Sequence, residues 1–113
     1  MHEMSLCEGV LQVLEEESRR QHFQKVKTVW LEIGGMAGVE VEAMRFCFDV
    51  VIRHTVADGA RLEIIEVPGE AWCLNCAQTV TVKQRYDACP QCGSYQLQVI
   101  RGEEMRIKEL EVE

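Results

Sequence analysis

Cys73-Leu74-Asn75-Cys76, followed after residues 77–88 by Cys89-Pro90-Gln91-Cys92, is the stretch on which the rest of the chain depends. Two residues between cysteines let one tight turn aim both sulfurs at a common point, and two such turns together complete a closed tetrahedron of soft ligands. A closed site of this kind leaves no position for water, so a structural role is expected. Zinc is favoured over iron because nothing in the sequence asks for redox chemistry, although sulfur ligation alone admits both. Disulfide pairing is the competing reading of the same four cysteines. Around the second pair, Pro90 fixes its own φ and Gly93 can supply a positive φ as backbone amides turn toward sulfur. Ala77 stands where the first turn would want glycine, so that half fits less well.

With 113 residues, 47% of them hydrophobic, the chain is long enough for one compact domain, or one plus a small metal-stabilised module. Nineteen acidic residues against twelve basic ones give a formal net charge of -7. Four metal-bound thiolates would deepen that charge, so nucleic acid is not an expected partner. No apolar run reaches membrane-spanning length, and residues 1–30 hold no basic segment leading into an uninterrupted apolar one. A cytoplasmic location without membrane association is therefore expected. That compartment keeps thiols reduced, which again favours metal over disulfide. Cys7 and Cys47 lie within apolar helical patterns and read as small core residues.

Ser5-Leu6-Cys7-Glu8 has the pattern of a capping box and predicts a helix starting near Ser5. Cys7, Val10, Leu11 and Leu14 recur at helical spacing, with a solvated end near His22. Val26 to Ile33 alternates as a strand, placing Val29, Leu31 and Ile33 on one side and Thr28, Trp30 and Glu32 on the other. A second helix is expected from about Val39 to Val56, its stripe of Val41, Met44, Phe48, Val51 and Ile52 widened by Phe46, Cys47 and Val50 until it is buried on most sides. Asp58-Gly59 turns into a strand from Arg61 to Val67, and strand, helix, strand in that order suggest a crossover unit. Short strands at Ala71-Trp72, Gln78 to Val82 and Tyr95 to Ile100 surround the cysteines, too small to hold together by hydrophobic burial alone. In Met105 to Val112 the alternation changes phase at Lys108-Glu109, which suggests a bulge, and this strand is expected to rejoin the first sheet. The expected fold is a small α/β domain of residues 1–69 plus 102–113, into which a four-cysteine zinc-ribbon-like domain of residues 70–101 is inserted.

The other informative stretch is Met1-His2-Glu3. The Met1 amine, the His2 backbone nitrogen and His2 Nδ1 can close two fused chelate rings in one plane, a geometry suited to Ni(II) or Cu(II). Read alone, a terminal histidine is more often simply solvated. His22 and His54 sit where helix ends are expected and read as capping or surface residues.

Met-His-Glu at the N-terminus, Ser5-Leu6-Cys7, Val29-Trp30-Leu31-Glu32-Ile33-Gly34, the two C-x2-C pairs and Glu103-Glu104-Met105-Arg106-Ile107 together resemble the HypA/HybF proteins, accessory factors for nickel insertion into [NiFe]-hydrogenase. The resemblance spans the whole chain. It implies a nickel-binding domain with two helices and a three-stranded mixed sheet, plus an inserted zinc domain. Carried onto this sequence, it implies Cys73, Cys76, Cys89 and Cys92 as zinc ligands and His2 as the nickel ligand beside the Met1 amine. Glu3 is the next candidate, and Glu40 matches the place of an acidic donor in some members. Other members recruit a histidine from the zinc module, but none lies between Glu70 and Gly102 here. The implied partners are a HypB-type GTPase and the hydrogenase large-subunit precursor, with a homodimer as a further candidate. The function so implied is that of a non-enzymatic nickel metallochaperone with a structural zinc. The alternative is an acidic zinc-ribbon interaction module in transcription or translation, against which the scarcity of basic residues in the ribbon counts: Lys83, Arg85 and Arg101 are too few for phosphate contacts. A zinc hydrolase is excluded by the closed ligand set.

Overall fold

The computed structural model describes residues 2–113; Met1, whose amine is an expected nickel donor, lies outside the described residues. In chain order the elements are α1 (Glu3–Gln21), β1 (Val26–Gly34), α2 (Val41–Val51), β2 (Arg61–Val67), β3 (Gly69–Cys73), β4 (Gln78–Val82), β5 (Leu97–Arg101) and β6 (Met105–Val112). The strands form two three-stranded sheets, in the orders β2-β1-β6 and β4-β3-β5. Two compact units emerge, one of Met1–Leu31, Val39–Ile64 and Ile107–Glu113, the other of Glu32–Gly38 and Ile65–Arg106. No helix among the described residues is long and apolar enough to cross a membrane.

The first sheet is mixed, as expected. Val26 N–H donates to Val56 O at the start of β1 and Gly35 N–H to Val67 O beyond its end, so β1 and β2 run the same way and α2 is their crossover. Lys25 exchanges hydrogen bonds with Glu113 while Gly34 N–H donates to Glu104 O, so β6 returns antiparallel. The alternation in β1 buries Val29, Leu31 and Ile33. In the first unit Val29 and Leu31 are buried along with Cys7, Val10 and Leu14 of α1 and Met44, Phe48 and Ile52 of the second helical segment. Each fully buried Leu or Phe here contributes about 1.5–3 kcal/mol.

Helix ends differ from the sequence expectation, and local hydrogen bonds explain why. α1 begins at Glu3 rather than near Ser5, and no Ser5–Glu8 box forms: Leu6 N–H already bonds His2 O, making His2 the N-cap, and its side chain makes no cap bond. Moving the start back two residues lets Glu3 sit buried with its carboxylate accepting the Glu40 amide. At the other end His22 is left-handed and its N–H caps Ser18 O. α2 stops at Val51, short of Val56, because Thr55 donates both its N–H and its hydroxyl to Ile52 O, and His54 turns left-handed with its N–H on Asp58 Oδ2. Nor is α2 buried on most sides: Met44, Phe48 and Ile52 fill its inner stripe, and Phe46 remains 69% exposed.

In the second unit β3 pairs antiparallel with both β4 and β5, with a bulge between Glu70 and Ala71 against β5. Its buried core is small: Met36, Ala71, Cys73, Val80, Val82 and Cys89. Within this unit Gly35 N–H bonds Val67 O and Met36 N–H bonds Gly102 O, so residues 35 and 36 hold the strand entering the module and the one leaving it. Backbones approach here as only glycines allow. A Cβ on Gly34 would lie 2.1 Å from Gly102 O, and one on Gly102, which has φ +92, would lie 2.5 Å from Gly69 Cα.

Gly34→Ala should therefore cost more than about 2 kcal/mol, since backbone must shift. Gly9→Ala, in the middle of α1 with nothing within 4 Å of the added methyl, should gain about 1 kcal/mol. Thermal unfolding of the metal-loaded variants checks both; equal midpoints would show that the close approach at Gly34 does not exist.

Cys7 is fully buried, with Sγ 3.5 Å from Met44 O and 3.8 Å from Met44 Sδ. Burial first, then the charges of Cys47, Glu3 and Glu8, push its thiol up to about 11. The raised value means that its contribution to stability is intact below the ordinary thiol pKa near 9 and is lost as pH climbs toward 11. At pH near 8, iodoacetamide should modify Cys7 only after unfolding, as peptide mapping by mass spectrometry would show; rapid labelling of the native protein would mean that the helix pair opens.

Candidate metal centre

Two turns build the four-cysteine site. The first follows β3: Cys73 ends the strand, and Ala77 N–H returns to Cys73 O at 2.9 Å. The second copies it, with Gly93 N–H to Cys89 O at 2.8 Å. Ala77 and Gly93 occupy the same position in the two turns, and both are left-handed, at φ 53 and 77. Ala77 thus makes the turn that its lack of glycine character argued against, at the conformational cost of a Cβ in that region.

All four Sγ atoms lie within 4.8 Å of one another. Cys73 Sγ is 3.6 Å from Cys92 Sγ, and Cys76 Sγ is 3.8 Å from Cys89 Sγ. A tetrahedral ion with metal–sulfur bonds of about 2.3 Å sets sulfurs about 3.8 Å apart, so the donor set fits a closed tetrathiolate centre. All six cysteines are free thiols, and none is cross-linked. Backbone and side-chain donors point at the sulfurs: Cys76 N–H to Cys73 Sγ, Gln91 N–H to Cys89 Sγ and Asn75 Nδ2 to Cys92 Sγ. Asn75 was not singled out from the sequence; its position inside the first C-x2-C turn was the available signal.

Two of the four thiols are pushed in opposite directions by their surroundings. The Asn75 amide and then the Ser94 backbone amide pull the exposed Cys92 down, whereas burial and the neighbouring sulfurs push Cys76 up. A divalent ion removes that conflict by neutralising the thiolates it binds. Cys73 and Cys89 are buried, Cys76 is partly covered, and Cys92 faces solvent.

At the N-terminus the Glu3 carboxylate lies between His2 and the backbone amide of Glu40, while the carboxylate of Glu40 is turned to its own helix. His2 is exposed, and its Nδ1 is 4.0 Å from Glu3 Oε2. Glu3 Oε2 accepts the Glu40 N–H at 3.1 Å, tying the start of α1 to the start of α2. That bond is the first cause of the lowered pKa of Glu3, followed by its own amide, with burial opposing both. Glu40 is itself the N-cap of α2, its two oxygens accepting Glu42 N–H at 3.1 Å and Ala43 N–H at 3.3 Å. The capping role of Glu40 was missed because glutamate is not among the favoured N-cap residues.

A family model described as "Hydrogenase/urease nickel incorporation, metallochaperone, hypA" matches residues 1–112. The hydrogenase maturation factor HypA of Alkalilimnicola ehrlichii is 67% identical over 113 residues, and that of Azotobacter chroococcum 64%, with 100% of both chains covered in each case. The solution structure of the Ni metallochaperone HypA from Helicobacter pylori shares the fold, with a TM-score of 0.71 at 24% identity over 99% of this chain and 97% of that one.

Ala77→Gly should relieve the first turn by about 1 kcal/mol. The variant should surrender its metal to a chromophoric chelator more slowly than wild type, and a faster loss would mean that the methyl group packs favourably where it stands.

Proposed function

The chain belongs to the HypA family of nickel-incorporating metallochaperones, and from that footing we propose that it binds Ni(II) at its N-terminus and passes it to the [NiFe]-hydrogenase large-subunit precursor. Zinc, held by Cys73, Cys76, Cys89 and Cys92, is the structural metal of the second unit. The observation that carries the nickel reading is the placement of His2: an exposed imidazole on the cap residue of α1, ahead of the intrahelical ladder whose first bond is Leu6 N–H to His2 O. Its backbone nitrogen has no helical partner to lose on binding a metal. The Met1 amine, the His2 nitrogens and the neighbouring Glu3 supply a donor set of nitrogen with a carboxylate beside it, which suits Ni(II). Glu40 enters this reading as a further donor that would have to leave its cap. The chain acts as a carrier and not as a catalyst, in the cytoplasm, with a HypB-type GTPase, the large-subunit precursor and a second copy of itself as partners.

Calorimetric titration with nickel of wild type, His2→Ala and a form extended by a few residues before Met1, each at matched zinc content, tests the reading. Nickel affinity should fall at least about tenfold in both variants, because one loses the imidazole and the other converts the amine to an amide. Zinc content by elemental analysis should be unchanged. His2→Ala should keep the fold, since the His2 side chain makes no cap bond. Wild-type affinity in the extended form would rule out the amine, and wild-type affinity in His2→Ala would move the site elsewhere.

A further inference from the structure

β6 is an edge strand, paired to β1 on one side only. Its central sequence, Arg106-Ile107-Lys108-Glu109-Leu110-Glu111, reads basic, apolar, basic, acidic, apolar, acidic. Reversed, that pattern is its own electrostatic complement. In regular antiparallel strands related by a two-fold axis, residues that face each other must point to the same side of the sheet, and sides alternate along the chain. Such a pair must be centred on a residue, which would bar a centre between Lys108 and Glu109.

β6 is not regular at that point. Arg106 pairs with Glu32 and Glu111 accepts from the Thr28 hydroxyl, and Thr28 and Glu32 lie on one side of β1, so Arg106 and Glu111 share a side although five positions apart. Ile107 and Leu110 are both half-buried, on the other side. The phase change expected at Lys108-Glu109 is therefore present, and it adds the one residue that opens the barred register.

We propose that the open edge of β6 is the interface for a second copy of this chain, two β6 strands pairing antiparallel about a two-fold axis between Lys108 and Glu109. In that register Lys108 faces the second copy's Glu109, Arg106 faces its Glu111 and Ile107 faces its Leu110, and each pair occurs twice. The interface is isologous and makes one six-stranded sheet, β2-β1-β6-β6-β1-β2. Lys108 and Glu109 are exposed and have no ion-pair partner among the described residues. Beside the edge lies a cavity of about 390 Å³ whose wall is part apolar, from Val13, Phe23, Ile107, Leu110 and Val112, and part polar, from Glu17, Gln21 and the Lys108-Glu109 pair, with Val13 44% and Val112 40% exposed. It offers apolar surface to the Ile107 and Leu110 of the incoming copy. Charges along an open edge ordinarily repel other strands; here they repel other registers and attract this one. The surface gives a place to the second-copy association proposed above and is independent of the nickel reading.

Sedimentation equilibrium of the zinc-loaded chain tests it, with Lys108→Glu and Glu109→Lys examined singly and mixed. Wild type should show a concentration-dependent dimer that weakens with salt. Each single variant places like charges opposite each other twice and should raise the dimer dissociation constant at least about tenfold. Their mixture restores both ion pairs, so a heterodimer of wild-type strength should form, which misfolded variants could not do. A wild type that stays monomeric at its highest soluble concentration would overturn the proposal. So would a dimer indifferent to both variants, or a mixture that fails to pair. Nickel titrations of the same samples should not change, so loss of nickel binding in wild type would refute the carrier reading and leave the interface standing.

Discussion

Four sulfurs held within 4.8 Å of one another make a demand that a divalent cation meets. As thiolates they repel, and as thiols they leave the amides of Cys76 and Gln91 and the Asn75 side chain aimed at weak acceptors. The hydrophobic alternative is slight, since two of the six buried residues in that unit's core are themselves cysteines of the cluster. A unit this small, with a core of this size, ordinarily needs a metal or cross-links to hold it. The left-handed turns at Ala77 and Gly93, and the three-stranded sheet that presents Cys73, therefore stand or fall with the metal.

How much could be read from the sequence depended on whether a feature is periodic or local. Alternation placed β1 correctly, the spacing of the cysteines anticipated the cluster, and short strands were expected around it, though not their antiparallel pairing. Periodicity also located both helices but not their ends. Ends are decided by single hydrogen bonds: the Thr55 hydroxyl that takes Ile52 O, and the Glu40 amide that draws Glu3 inward and moves the start of α1 past Ser5. The apolar character of Phe46 suggested burial, yet a three-stranded sheet and one neighbouring helix offer no more surface than Met44, Phe48 and Ile52 already cover.

At the candidate sites the same division holds. Donor types and spacing were legible, whereas the residues that orient the donors were not. Asn75 acts through a side chain inside a turn, and Glu40 caps α2 with a residue type that propensity disfavours. Ala77 shows the limit most clearly: a small strain in the backbone is tolerated where the bonds it permits, to Cys73 O and around the sulfurs, are worth more.

The two amides of Gly35 and Met36 have a topological effect as well as a structural one. By holding Val67 and Gly102 side by side they close the intervening segment into a loop. Should the metal be lost, that segment would melt as a tethered ring and not as a free chain. The entropy of bringing its ends together, which grows only by about 0.6 kcal/mol for each doubling of loop length, would already be spent. Recovery of the folded module would then start from a closed ring, with the turns, the sheet and a new ion left to restore.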